Sequence, residues 1–122
     1  MVEGMLLVDK FIDQAVVIAD QRKYVSALLV PEFRVLEDWA KDNGIAFENR
    51  EDLCDNICVQ KMYKERIDTL QQRLASYEQI KTFTLLAHHF SMESGELTNT
   101  LKLKRSVINK NFKDIIDKMY ED

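Results

Sequence analysis

No apolar run in the 122 residues approaches the roughly 20 that cross a bilayer, so no membrane-spanning helix is expected. Glycine is scarce: Gly4, Gly44 and Gly95 are too scattered to form a phosphate-cradling loop. The single proline, Pro31, leaves few obligatory breaks in helices or strands. Two cysteines, Cys54 and Cys58, and two adjacent histidines, His88 and His89, fit no zinc-ligand spacing. Four apart, the cysteines are expected reduced on the buried side of one helix, which fits a reducing, cytoplasmic compartment. The N-terminus carries Glu3 and Asp9 where a secretory signal needs basic residues, so no export is expected. Excess positive charge is lacking too. With 17 basic and 21 acidic side chains the net charge is −4, which removes nucleic acid from the expected partners.

What is present is a core. At 46% hydrophobic and 31% charged, the chain is too apolar for a disordered tail and long enough to bury a core as one soluble domain, residues 1–122. Met1 to Val8 has a short helical pattern. Ile12 to Ala19, with Val16, Val17 and Ile18 in a row, predicts a strand buried on both faces. Asp20 to Lys23 is a polar break, and Tyr24 to Val30 resumes the apolar run, which together predict an antiparallel hairpin. Pro31 ends the second strand and suits the first turn of the following helix. That helix carries Phe33, Leu36, Trp39 and Ala40 and closes at Gly44; Asn49 caps a short turn after it.

From Ile57 to Tyr77 the apolar positions Tyr63, Ile67, Leu70, Leu74 and Tyr77 predict one long amphipathic helix packed on a sheet. Lys81 to Leu86 predicts a third strand, His88 to Thr100 an irregular polar loop. Ile108, Phe112, Ile115 and Met119 then predict a C-terminal helix. Strands and helices without strict alternation imply an α+β fold: a small antiparallel sheet of about three strands with helices packed on it.

Candidate chemistry is sparse. His88 and His89 read as surface or packing residues, and Glu93 and Glu96 as solvated carboxylates of the polar loop. Charge is unevenly spread, however. Between Leu101 and Lys113 lie Lys102, Lys104, Arg105, Lys110 and Lys113 with no acidic residue, in a chain that is acidic overall. Such a run is a solvated helix face or a surface for an anion, most simply a phosphate-bearing small molecule, since five charges are few for duplex binding. Lys102 stands at its leading end, directly after the glycine-containing loop, where a long cationic arm can reach outward.

The run Gly95-Glu96-Leu97-Thr98-Asn99-Thr100-Leu101-Lys102-Leu103-Lys104-Arg105, followed by a helix ending Asp117-Lys118-Met119-Tyr120, resembles the C-terminal end of long-chain acyl-CoA synthetases, members of the adenylate-forming superfamily. Tyr24-Val25-Ser26-Ala27-Leu28-Leu29-Val30-Pro31 and the preceding Ile12 to Ile18 look like the hairpin of the same C-terminal domain. The resemblance covers nearly the whole chain in order, starting at Val2-Glu3, just after the family's hinge motif.

The resemblance implies a mobile lid domain whose partner is the enzyme's own N-terminal adenylate-binding domain. The family converts ATP, with Mg, and a fatty acid to acyl-adenylate and pyrophosphate, after which CoA displaces AMP. By the same resemblance Lys102 is the catalytic lysine of adenylation. Long-chain members relax the glycine that usually precedes it, and Leu101-Lys102 matches their version. Lys104 competes for the role, because an extended register points both side chains the same way. Arg22 and Lys23 in the hairpin turn are candidates for contacting CoA phosphates. Asn99 replaces a proline often found in the family, which bears on loop stiffness. The parent enzyme is expected in the cytoplasm, with a peripheral membrane contact allowed; the 122 residues alone are expected to fold and turn over nothing.

Two other readings stand beside this one. The chain could be a free-standing, non-catalytic module that binds an anionic ligand or partner through the 101–113 basic stripe. A carrier armed with phosphopantetheine is disfavoured, because Ser91, Ser94 and Ser106 lack the Asp-Ser-Leu setting such carriers need.

Overall fold

A β-hairpin organises the first of two compact units, residues 1–87 and 88–122. The computed structural model describes residues 2–19 and 23–120; Arg22 lies outside them. Helix α1 (Val2–Leu7) leads into strand β1 (Ile12–Ile18), which pairs antiparallel with β2 (Val25–Pro31), from Ile12 opposite Pro31 to Ile18 opposite Ser26. The expected hairpin is therefore present. Its burial is distributed differently: Asp13 is exposed and Val17 half-buried in β1, whereas β2 is buried from Ser26 to Pro31.

The cause is strand order. Strand β3 (Ile80–Leu85) joins the free side of β2, giving the order β1-β2-β3 and making β2 central. The three strands and the α+β class agree with expectation, but the sheet is mixed rather than wholly antiparallel. β3 runs parallel to β2, from Val25 beside Ile80 to Leu29 beside Leu85. Parallel neighbours need a crossover of a dozen or more residues. Residues 32–79 supply it with helices α2 (Phe33–Asp42), α3 (Arg50–Asp55) and α4 (Ile57–Leu70).

Local signals explain the helix ends. Pro31 closes β2 instead of opening the helix, and Glu32 takes the N-cap, accepting from the Arg34 amide. Gly44, at φ 70°, ends α2 in a Schellman motif: the Ile45 amide donates to the Ala40 carbonyl at 2.9 Å and the Gly44 amide to Lys41 at 3.2 Å. Asn49 Oδ1 caps α3 through the Asp52 amide at 2.9 Å. Asn56 caps α4, its Oδ1 accepting from Cys58 at 2.8 Å and Val59 at 3.2 Å. That cap corrects the cysteine reading. Cys54 is buried on α3 and Cys58 exposed on α4, so a helix break separates them.

Helix α4 is shorter than the apolar repeat predicts. Val59, Tyr63 and Ile67 are buried, but the helix stops at Leu70, and Tyr77 sits 81% exposed in the middle of a 3₁₀ turn at Ser76–Glu78. Gln71 is the reason. Its buried amide grips the first residue of β3 from both sides: Oε1 accepts from the Ile80 amide at 2.8 Å and Nε2 donates to the Ile80 carbonyl at 3.1 Å. The chain must leave the helix there to become the strand's partner.

At the other end, Phe11 joins α2 and α4. Its ring meets Trp39 of α2 and Tyr63 of α4 edge-on, with centroids 6.4 and 6.1 Å away, and lies 4.5 Å from the Arg66 guanidinium of α4. Its carbonyl accepts from Tyr63 Oη at 2.7 Å and from the Glu32 amide at 2.9 Å. Buried Asp9 ties the same corner, accepting from the Phe11 amide at 2.9 Å and pairing with Arg66 Nε at 2.8 Å.

Two tests follow from this packing. Gln71→Leu leaves the buried amide and carbonyl of Ile80 unpaired and should cost about 2–4 kcal/mol of stability, read as a lower urea midpoint at unchanged slope. Burial, reinforced by Asp55 and Glu51, pushes the Cys54 thiol from 9.0 up to about 11, and burial likewise raises Tyr63. Both groups resist losing a proton in the folded state: the Cys54 contribution is whole below pH 9 and is lost as pH rises from 9 to about 11, while the Tyr63 contribution begins to fall only as pH rises past 10. Urea titrations at stepped pH should show that decline, and Cys54→Ala should flatten its lower part.

Candidate functional site

Residues 88–122 carry the basic run. The expected C-terminal helix is two helices, α5 (Arg105–Asn111) and α6 (Lys113–Met119), broken at Phe112, whose φ of −111° and ψ of 20° depart from helical values. The break shifts the apolar face: Ile108 and Ile116 are buried, while Ile115 is half-buried. The Phe112 ring meets Phe90 edge-on at 5.7 Å.

The loop before α5 is ordered by its backbone. The Ser91 carbonyl accepts from both Glu96 and Leu97, each at 3.1 Å, and Gly95 turns the chain at φ 80°. A miniature hairpin follows. Leu97 and Leu103 form an antiparallel bridge, the Thr98 amide donates to the Lys102 carbonyl at 2.8 Å, and the Leu101 amide donates back to Thr98 at 2.9 Å. The Lys104 amide closes its base on the Glu96 carbonyl at 2.8 Å. This is the bonding of a three-residue hairpin loop with a bulge at its left-handed position.

Leu101 occupies that position at φ 63°, the only non-glycine with positive φ among the described residues. A leucine there costs roughly 1–2 kcal/mol, whereas glycine adopts it freely. Lys102 follows directly. Its amide donates to Thr98 Oγ1 at 3.1 Å, fixing the backbone, while its side chain is exposed and makes no ion pair among the described residues. Lys104 is exposed as well, but its carbonyl already accepts from Ile108 at 3.0 Å as the cap of α5. Lys113 pairs with Asp117 at 2.9 Å, so the basic run is not a uniform stripe.

Glu93 is exposed as expected, but Glu96 is not solvated: it is 5% exposed. Its carboxylate accepts from Ser94 Oγ at 2.6 Å and from Asn111 Nδ2 at 3.1 Å. Sequence reasoning missed this residue because nothing local links Glu96 to Asn111. His88 and His89 are exposed, and no cluster of three or more His, Cys, Asp or Glu that could hold a metal occurs among the described residues. Lys23 is exposed just before β2 in the other unit. A cleft of about 560 Å³ in residues 1–87 lies between α4 and β3, lined by Ile57, Lys61, Lys64, Thr82 and Phe83 among others; Lys23 does not line it.

Comparison with known proteins gives these features a family. The model of the AMP-binding enzyme C-terminal domain matches residues 1–122. The peroxisomal long chain acyl-CoA synthetase 7 of Arabidopsis thaliana is 30% identical over 124 aligned residues, covering 99% of this chain and 18% of its own length. Human long-chain-fatty-acid–CoA ligase 1 is 36% identical over 100 residues, covering 80% of this chain and 14% of its own. The chain thus spans less than a fifth of either relative. Among solved structures, the adenylation domain of a Mycobacterium chelonae carboxylate reductase superposes with a TM-score of 0.78 at 21% identity, covering 99% of this chain and 17% of that one. The didomain of a Segniliparus rugosus carboxylic acid reductase, solved with AMP, gives 0.76 at 20%, covering 98% and 15%. These likenesses show the fold.

Leu101→Gly should relieve the backbone strain and tighten the miniature hairpin. Hydrogen exchange at the Thr98 amide should slow about two- to fivefold, while Leu101→Val should speed it.

Proposed function

Because the chain belongs to the AMP-binding enzyme C-terminal domain family, we propose that it is the mobile lid of a long-chain-fatty-acid–CoA ligase and that Lys102 is its catalytic lysine for adenylation. The observation that carries this reading is the hairpin tip: an exposed lysine without an ion pair among the described residues, on a backbone fixed at both its amide and its carbonyl.

The chemistry calls for such a group. When a fatty-acid carboxylate oxygen attacks the α-phosphorus of ATP, two anions are brought together, and charge builds on the phosphoryl oxygens as pyrophosphate leaves. An ammonium that touches both partners lowers their repulsion and holds the line of attack. Lys102 supplies that charge from outside the site where ATP, with Mg, and the fatty acid are bound by the N-terminal domain. Rotation of the lid after adenylation withdraws it and turns the hairpin face toward CoA. Lys23, exposed just before β2, and Arg22, outside the described residues, are assigned to the CoA phosphates. Lys104 is the second candidate; it stands at the base of the miniature hairpin as the α5 cap, whereas Lys102 follows its tip. Two free cysteines, one exposed, fit a cytoplasmic enzyme.

In the full-length enzyme, Lys102→Ala should slow adenylation roughly 100- to 1,000-fold, as loss of a charge-stabilising donor does. Thioester formation from supplied acyl-adenylate should persist, and Lys104→Ala should leave adenylation largely intact. Pyrophosphate exchange and CoA consumption separate the two half-reactions; equal loss of both in Lys102→Ala would reject the assignment.

A further inference from the structure

We propose that Glu96 is the positioning residue of Lys102: its buried carboxylate clamps the loop that presents the lysine onto helix α5. The inference rests on the adenylation role of Lys102. A carboxylate that is 5% exposed, in a loop made mostly of polar residues, has been taken out of water and given two donors, Ser94 Oγ at 2.6 Å and Asn111 Nδ2 at 3.1 Å. The main chain of the same residue is used twice more, donating to Ser91 at 3.1 Å and accepting from Lys104 at 2.8 Å. One residue thus joins the start of the loop, the far strand of the miniature hairpin and the last turn of α5.

Lys102 lies one turn of bonding beyond this clamp. The ladder runs from Glu96–Lys104 through the Leu97–Leu103 bridge to Thr98–Lys102, so a shift at Glu96 tilts the tip that carries the ammonium. Reacting groups tolerate little misplacement: about 1 Å can cost on the order of 100-fold in rate. Glu96 touches no reactant in this account; it acts through Lys102.

The hydrogen bonds also predict what can replace it. Ser94 Oγ lies 3.0 Å from the Ser91 carbonyl as well. With an amide at position 96, that hydroxyl can give its proton to Ser91 and accept from the new Nε2, while the amide oxygen keeps Asn111. Glu96→Gln therefore preserves the clamp, and Glu96→Leu removes it. Ser94 and Asn111 are themselves exposed, so in Glu96→Leu they turn to water without a buried orphan.

The test uses the full-length enzyme and both half-reactions. Glu96→Leu should lower kcat for adenylation on the order of 10- to 100-fold, with KM for ATP and fatty acid and the thioester half-reaction within about twofold of wild type. Glu96→Gln should recover to within about threefold, and Glu96→Leu added to Lys102→Ala should cost nothing further. The inference is overturned by wild-type adenylation in Glu96→Leu, by equal loss in both half-reactions, by Glu96→Gln as slow as Glu96→Leu, or by additive losses in the double variant. Its failure is separable from failure of the functional reading: Lys102→Ala that adenylates normally rejects the role of the lysine. An inactive Lys102→Ala beside an unaffected Glu96→Leu rejects only the clamp.

Discussion

Strand β2 is buried from Ser26 to Pro31, and much of residues 1–87 is arranged to satisfy it. A buried strand cannot leave backbone groups unpaired, so it needs a neighbour on each side. β1 meets one side through a short turn, which is cheap. β3 meets the other in parallel, and that choice forces the long crossover through α2, α3 and α4. The crossover must then end where β3 begins. Gln71 solves this by standing in for a strand: its side-chain amide reproduces, for Ile80, the donor and acceptor that another backbone would offer.

Residues 88–122 are organised on a different principle. Phe90, Leu97, Ile108 and Ile116 are buried, but the loop that bears Lys102 is shaped by polar closure: two amides on the Ser91 carbonyl, four hydrogen bonds at Glu96, and a turn that holds Leu101 in a conformation leucine disfavours. Strain of roughly 1–2 kcal/mol at one residue persists only where its surroundings over-determine the backbone. Here the bonds on either side of it, Leu101 to Thr98 and Thr98 to Lys102, do so. A rigid base with a strained tip suits a side chain that has to arrive at a fixed place.

What could be read from the sequence was local. The hairpin, the Gly44 ending of α2 and the Asn49 cap rest on a few neighbouring residues each, and they are where the pattern puts them. What could not be read depended on partners far along the chain. The apolar repeat from Tyr63 carried on to Tyr77 because nothing in it announces that Gln71 is wanted by Ile80. β3 is parallel because of a crossover, not because of its own residues, and Asn56 separates two cysteines whose spacing suggested one helix. In the candidate site, Lys102 is singled out by a family motif alone. The left-handed Leu101 was not legible, since leucine gives no turn signal, and Glu96 looked like any loop carboxylate until Asn111 came back to it.

The contrast between Lys102 and Lys113 bears on why a lid would carry its charge this way. Lys113 sits one helical turn from Asp117 and is paired with it at 2.9 Å, a satisfied surface contact. A lysine so engaged would have to break that pair before neutralising a reacting phosphate, and part of its attraction for the new anion would be spent in doing so. Lys102 has no ion pair to break among the described residues, so in the proposed role its charge is available without that cost. The clamp at Glu96 keeps that buried carboxylate occupied by Ser94 and Asn111, so the loop holds an acidic residue six positions from Lys102 without an ion pair between them. Rigid backbone, exposed charge and an acid turned inward are together what the proposed role asks of the lysine: to be available for one step and removable for the next.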